Sequence, residues 1–111
     1  MTLANMHCAA GGQATKLDDA AITTHLATLP GWQRTAGINN DEIHKTFAFQ
    51  NYHETMAFVN ASAWVSHAED HHPDMGVHYN RCVVSYSTHD AGGITLNDFI
   101  CAAKLDALIA R

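Results

Sequence analysis

The sequence predicts an α+β domain of order αββαββα, with a four-stranded antiparallel sheet and three helices packed on one face. Three observations carry this prediction. Apolar residues recur at helical spacing in three separated stretches, and the segments between them alternate with period two. Turn-forming residues split each alternating segment into a pair, and hairpins separated by helices favour an antiparallel sheet.

The first helix is expected from about Asp18 to Leu29, where Ile22, Leu26 and Leu29 share one face. Asp18 and Asp19 sit in its first turn, where acidic groups suit the helix dipole, and Pro30-Gly31 ends it. Trp32 to Gly37 reads as a short strand and Asn39-Asn40-Asp41 as a turn. From Asp41 to Phe49 the chain alternates, with Ile43, Lys45, Phe47 and Phe49 on one side. A long helix is expected from about Tyr52 to Asp70, with Tyr52, Met56, Val59 and Ala63 along its main apolar stripe. Phe58, Ala61 and Val65 widen that surface, which points to burial from more than one side and so to an oligomer. Pro73 stops the helix. Val77–Tyr79 and Cys82–Thr88 read as a second hairpin around Asn80-Arg81. After the Gly92-Gly93 loop, Thr95 caps a last helix, with Asp98 three residues on as a capping-box partner. Leu96, Phe99, Ile100, Ala103 and Ala107 form the apolar face of that helix.

Composition narrows the function classes. The chain has 111 residues, enough for one core, and its hydrophobic fraction of 47% is too high for a disordered segment. Residues 1–15 read as a flexible leader and residues 16–111 as the folded domain. The net charge of −5 and the lack of a basic run argue against a nucleic-acid surface. No apolar span is long enough for a membrane helix, and the N-terminal residues do not read as a signal peptide. Cys8, Cys82 and Cys101 are an odd, widely spaced set, which fits reduced thiols and a cytoplasmic location better than a disulfide framework.

Of 9 histidines, His67, His71, His72 and His89 stand out, because the first three crowd a helix end and the fourth closes a strand. His67 and His71 have the i, i+4 spacing of a zinc pair, but Ala68 stands where the glutamate of an HExxH motif would be, and no cysteine pair is near. Acid–base chemistry fits better than a metal. A helix C-terminus and the neighbouring Glu69 and Asp70 favour protonated imidazole, and two histidines in different fields let one donate while the other accepts. The plain alternative is that His71 and His72 merely cap the helix.

The spacing of these residues is similar to that of the pterin-4a-carbinolamine dehydratase family, the dimerisation-cofactor family in its animal members. His67, His71-His72-Pro73, Tyr79, His89 and Asp98 fall on the positions of that family's signature. Leu29-Pro30-Gly31-Trp32, Ser87-Thr88-His89-Asp90 and Gly92-Gly93-Ile94-Thr95 also match, and the likeness runs from about Leu17 to Ile109. One departure is Met75-Gly76, where many members carry an aromatic; its loss loosens one wall of the cleft.

The resemblance implies loss of water from a 4a-hydroxytetrahydropterin to give the quinonoid dihydropterin, in tetrahydropterin recycling, without a metal or other cofactor. It implies His71, His72 and His89 as catalytic residues and Asp70, His71, His72, Ser87, Thr88, His89 and Asp90 as the pterin site. His71 and His89 form the expected acid–base pair, His72 orients the pterin, and backbone groups of Ser87 and Thr88 meet its polar edge. Trp32 is either stacking surface for the guest or sheet core. The family further implies a homodimer or homotetramer and, in animal relatives, binding of a transcription factor through the long helix. A protein-binding module without required catalysis is therefore the second expectation.

Overall fold

The chain is described by a computed structural model covering residues 2–10, 12–36 and 41–110. Helix α1 spans Asp19–Leu26, with Asp18 as its N-cap accepting a hydrogen bond from the Ala21 amide at 2.8 Å. Strands β1 (Gln33–Ala36) and β2 (Asp41–Ala48) pair antiparallel. Gly37, Asn39 and Asn40, expected to end the strand and form the turn, lie outside the described residues. Helix α2 is Tyr52–Glu69, capped by the Asn51 side chain; strands β3 (Asp74–Val77) and β4 (Arg81–Tyr86) follow, then helix α3 (Leu96–Ile109).

The sheet order is β1-β2-β4-β3, antiparallel throughout. Register places Ile43 opposite Tyr86 and Phe47 opposite Cys82. These side chains are buried with Val84 under the helices, while His44, Ser85 and Asp74 occupy the alternate positions. Phe58 of α2 stacks on Phe47 with ring centroids 4.5 Å apart, tying helix to sheet. Trp32 is buried core: its ring meets Phe47 and Tyr86, and its indole N–H donates to Asp106 at 3.1 Å.

Two helix faces differ from expectation. On α2 the buried residues are Thr55, Phe58 and Ser62, whereas Tyr52 and Ala63 are exposed. The hydroxyls of Thr55 and Ser62 donate to backbone carbonyls of Asn51, Tyr79 and Val59, so these small polar residues enter the core without an unpaired group. On α3 burial extends to Asn97, Asp98, Cys101, Ala102 and Leu105, while Ala107 is exposed. The cause is a second cover: residues 3–9 lie against α3, with Leu3, Ala4 and Cys8 packed on the core. β3 begins at Asp74, three residues before the expected start, immediately after Pro73 ends the link from α2.

Candidate functional site

The site forms where α2 and β4 end side by side. Asp70, which follows α2, adopts the left-handed conformation (φ 51°, ψ 43°). Its amide and that of His71 bond back to His67 O and Ser66 O at 3.4 and 3.1 Å, closing the helix end. Aspartate tolerates this region better than most residues. The chain therefore turns sharply, and His71 and His72 leave the helix axis.

On the other side, β4 runs out at Tyr86. The Ser87 hydroxyl donates to Asp41 O at 2.9 Å. The Thr88 amide donates to Gly93 O at 2.9 Å, and the Gly93 amide donates back to Thr88 O at 3.3 Å. This bridge closes a short loop whose tip, His89–Ala91, is one turn of 3₁₀ helix. Gly92 ends that turn with φ 76°, a conformation that suits glycine.

Between these ends lies a cleft of about 240 Å³ lined by Asp70, His71, His72, Asp74, Ser85, Ser87, Thr88, His89 and Asp90. All the expected pterin-site residues are thus on one surface. Asp74 and Ser85, which face each other across β3 and β4, join them unforeseen. The outward alternation of Ser85 with Ser87 was a legible signal for one, and adjacency to His-His-Pro for the other. His67 is not on the cleft; it lies beside the exposed Trp64, ring to ring at 6.3 Å. Trp32 does not line the cleft either. Among the described residues no group of three His, Cys, Asp or Glu side chains is arranged to hold a metal ion.

The most specific geometry belongs to His71. Its Nε2 lies 2.6 Å from Oδ1 of Asp98, a carboxylate that is 0% exposed. Oδ2 of the same carboxylate accepts from the Thr95 amide and from the Thr88 hydroxyl, each at 2.9 Å. Asp98 thus does two jobs: it caps the start of α3, and it pins the imidazole. Sequence reading found only the cap and the motif position. A carboxylate accepts hydrogen bonds, so in this contact Nε2 is the donor and Nδ1 is left for other partners. The Tyr86 ring stacks on His71, with centroids 5.7 Å apart and planes 14° off parallel. Burial, with Cys101 and Asp98 nearby, pushes the Tyr86 hydroxyl well above the usual phenol range, and its oxygen has no hydrogen-bond partner among the described residues.

Thr88 lines the cleft, but its amide is given to Gly93 O, its carbonyl accepts the amides of Ala91, Gly92 and Gly93, and its hydroxyl serves Asp98. Its backbone is bonded within the loop that holds His89.

An imidazole pinned on a buried carboxylate and a second on the rim of the same cleft suit a small guest that gains a proton at one atom and loses one at another. The acids Asp70, Asp74 and Asp90 add hydrogen-bond acceptors around it.

Residues 15–108 match the family described as pterin 4 alpha carbinolamine dehydratase. A protein of Chromobacterium violaceum, named provisionally as a pterin-4-alpha-carbinolamine dehydratase, is 57% identical over 111 residues, covering 100% of this chain and 99% of its own. A crystal structure described as a transcriptional coactivator/pterin dehydratase from Brucella melitensis superposes with a TM-score of 0.80 at 29% identity, covering 86% of this chain and 100% of its own. A pterin dehydratase-like protein described as a RuBisCO assembly factor in the alpha-carboxysome gives a TM-score of 0.59 at 26% identity, over 70% of this chain and 88% of its own. With the family matched over most of its length and a relative this similar end to end, the chain belongs to the pterin-4a-carbinolamine dehydratase family.

Proposed function

We propose that this chain is a 4a-hydroxytetrahydropterin dehydratase, eliminating water to give the quinonoid dihydropterin in tetrahydropterin recycling. The observation that carries the proposal is His71, pinned by buried Asp98, on the same cleft as His89. Hydroxide leaves poorly from C4a, so one imidazole protonates the departing oxygen while electron density from N5 expels it. The other imidazole takes the N5 proton, and the pair is reset by exchange with water. Such assistance is worth about 10² to 10⁴ in rate. The chemistry calls for no metal, redox cofactor or covalent intermediate. His72 hydrogen-bonds the pterin, and Asp70, Asp90 and Ser87 meet its polar pyrimidine edge.

The test is dehydration of a synthetic 4a-carbinolamine, with the spontaneous rate subtracted. His71→Ala and His89→Ala should each lose most of the catalysed component. Near-normal rates in His89→Ala would mean that the pair is misassigned.

A second reading has its own support. Trp64 is 75% exposed and Tyr52 is exposed on the outer side of α2, and two structural relatives are described as a coactivator and an assembly factor. Large exposed aromatics are characteristic of contact surfaces. On this reading α2 packs against further copies, as a homodimer or homotetramer, or against another protein. A His89→Ala variant that loses dehydration but still captures a partner would favour binding as the primary role.

A further inference from the structure

A separate chemistry sits at the N-terminal segment, outside the family match, which begins at residue 15. Leu3–Asn5 makes one 3₁₀ turn against α3, and the chain then runs toward the end of α2. It is held at several points. Lys104 Nζ donates to Ala4 O at 2.9 Å, the Cys8 amide donates to Glu69 Oε1 at 2.7 Å, and the Asn97 side chain exchanges two hydrogen bonds with the Ala9 backbone at 2.9 and 3.2 Å. These anchors set Cys8 Sγ 3.5 Å from Cys101 Sγ, although the two residues are 93 apart in sequence. Two of the anchors adjoin the site: Glu69 precedes Asp70, and Asn97 precedes Asp98.

We propose that Cys8 and Cys101 are an oxidisable thiol pair, which hydroperoxides convert to an internal disulfide that latches the N-terminal segment onto α3. Cys8 is half-buried and Cys101 fully buried, so peroxide reaches Cys8 first, and Cys101, 3.5 Å away, is placed to resolve the product. The Cys8 sulfur takes one oxygen from hydrogen peroxide to give a sulfenic acid, and one water leaves. The Cys101 sulfur then attacks the Cys8 sulfur, forming the S–S bond and breaking the S–O bond. The hydroxyl leaves with the Cys101 proton as a second water. The sulfurs must close to about 2.0 Å, a small shift for a segment that is not part of the sheet or of the long helices.

The experiment oxidises the reduced full-length protein with a small excess of hydrogen peroxide and reads intact mass and non-reducing peptide maps. The expected result is loss of two hydrogens, a Cys8–Cys101 cross-linked peptide, reversal by a dithiol, and untouched Cys82, which is buried in β4. Closing so long a loop should also raise the thermal midpoint by several degrees. Cys8→Ser, a change outside the sheet, should fold normally and show neither effect. Oxygen added to Cys8 without a cross-link, a link to Cys82 or to a second chain, or an unchanged midpoint in the cross-linked protein would each overturn the proposal.

Discussion

Asp98→Asn isolates the role of the buried carboxylate, because it removes a charge without changing shape. The Thr95 amide and the Thr88 hydroxyl both point at Oδ2 from 2.9 Å. The asparagine must turn its carbonyl oxygen toward these donors, so its NH₂ faces His71 Nε2, 2.6 Å from the present Oδ1. Two donors cannot share that contact. Nε2 must become the acceptor, and the imidazole hydrogen moves to Nδ1. The variant therefore inverts the tautomer that serves the cleft while keeping the cap of α3. A charge-assisted hydrogen bond is exchanged for a neutral one, a difference of about 1–2 kcal/mol in holding the ring. The larger effect is on rate: with the wrong tautomer the His71 share of acid–base assistance is lost, and kcat for the catalysed dehydration should fall by about 10² or more. KM should barely move, because Asp98 is fully buried and does not line the cleft. The ¹⁵N shifts of the His71 ring report the tautomer independently. A folded Asp98→Asn protein with wild-type kcat, or one whose loss is all in KM, would refute the reasoning.

Three further outcomes follow from the packing. Tyr86→Phe keeps the stack on His71 and deletes a buried hydroxyl that has no partner among the described residues, so it should raise stability by up to about 1 kcal/mol in urea titration; a loss of that size would reveal a partner for the hydroxyl. Burial opposes charge on Glu69, but the Cys8 amide, His7 and Lys104 outweigh it and hold the carboxyl below its ordinary value of 4.5. A depressed carboxylate lends stability that is whole above that value and is lost as pH falls through the folded-state value. The N-terminal segment should therefore loosen in acid below about pH 4.5, read as faster amide exchange at Cys8, and Glu69→Gln should remove most of that dependence. Trp64→Ala should leave the fold intact, since the ring is outside the core, and should lower the sedimentation mass if α2 packs against copies of itself.

Much of the architecture was legible because its cause is local. The period-two spacing of Ile43, Phe47, Cys82, Val84 and Tyr86 fixes which sides of β2 and β4 are buried, and Asp18, Asn51 and Thr95 mark helix starts through their own side chains. On α2 hydrophobicity marks Phe58, Val59 and Val65, which do pack on the core, but overlooks Thr55 and Ser62, whose hydroxyls satisfy themselves on nearby carbonyls. β3 was placed late, because the short Asp74-Met75-Gly76-Val77 run has no alternation strong enough to announce a strand; pairing with β4 makes it one.

By itself the sequence determined the order of elements, the family and most of the residues that share the cleft, though not Asp74 and Ser85, since each follows from short-range spacing or from a motif carried within a few dozen residues. Tertiary structure alone decided that Asp98 reaches from the start of α3 to His71, that Thr88 spends its backbone on holding His89, and that Cys8 comes to rest on Cys101. The first and last of these join residues 27 and 93 apart in the chain, and the Thr88 loop takes its place only where β4 ends against them. Their geometry is set by how helices seat on a sheet, and no local periodicity encodes that distance.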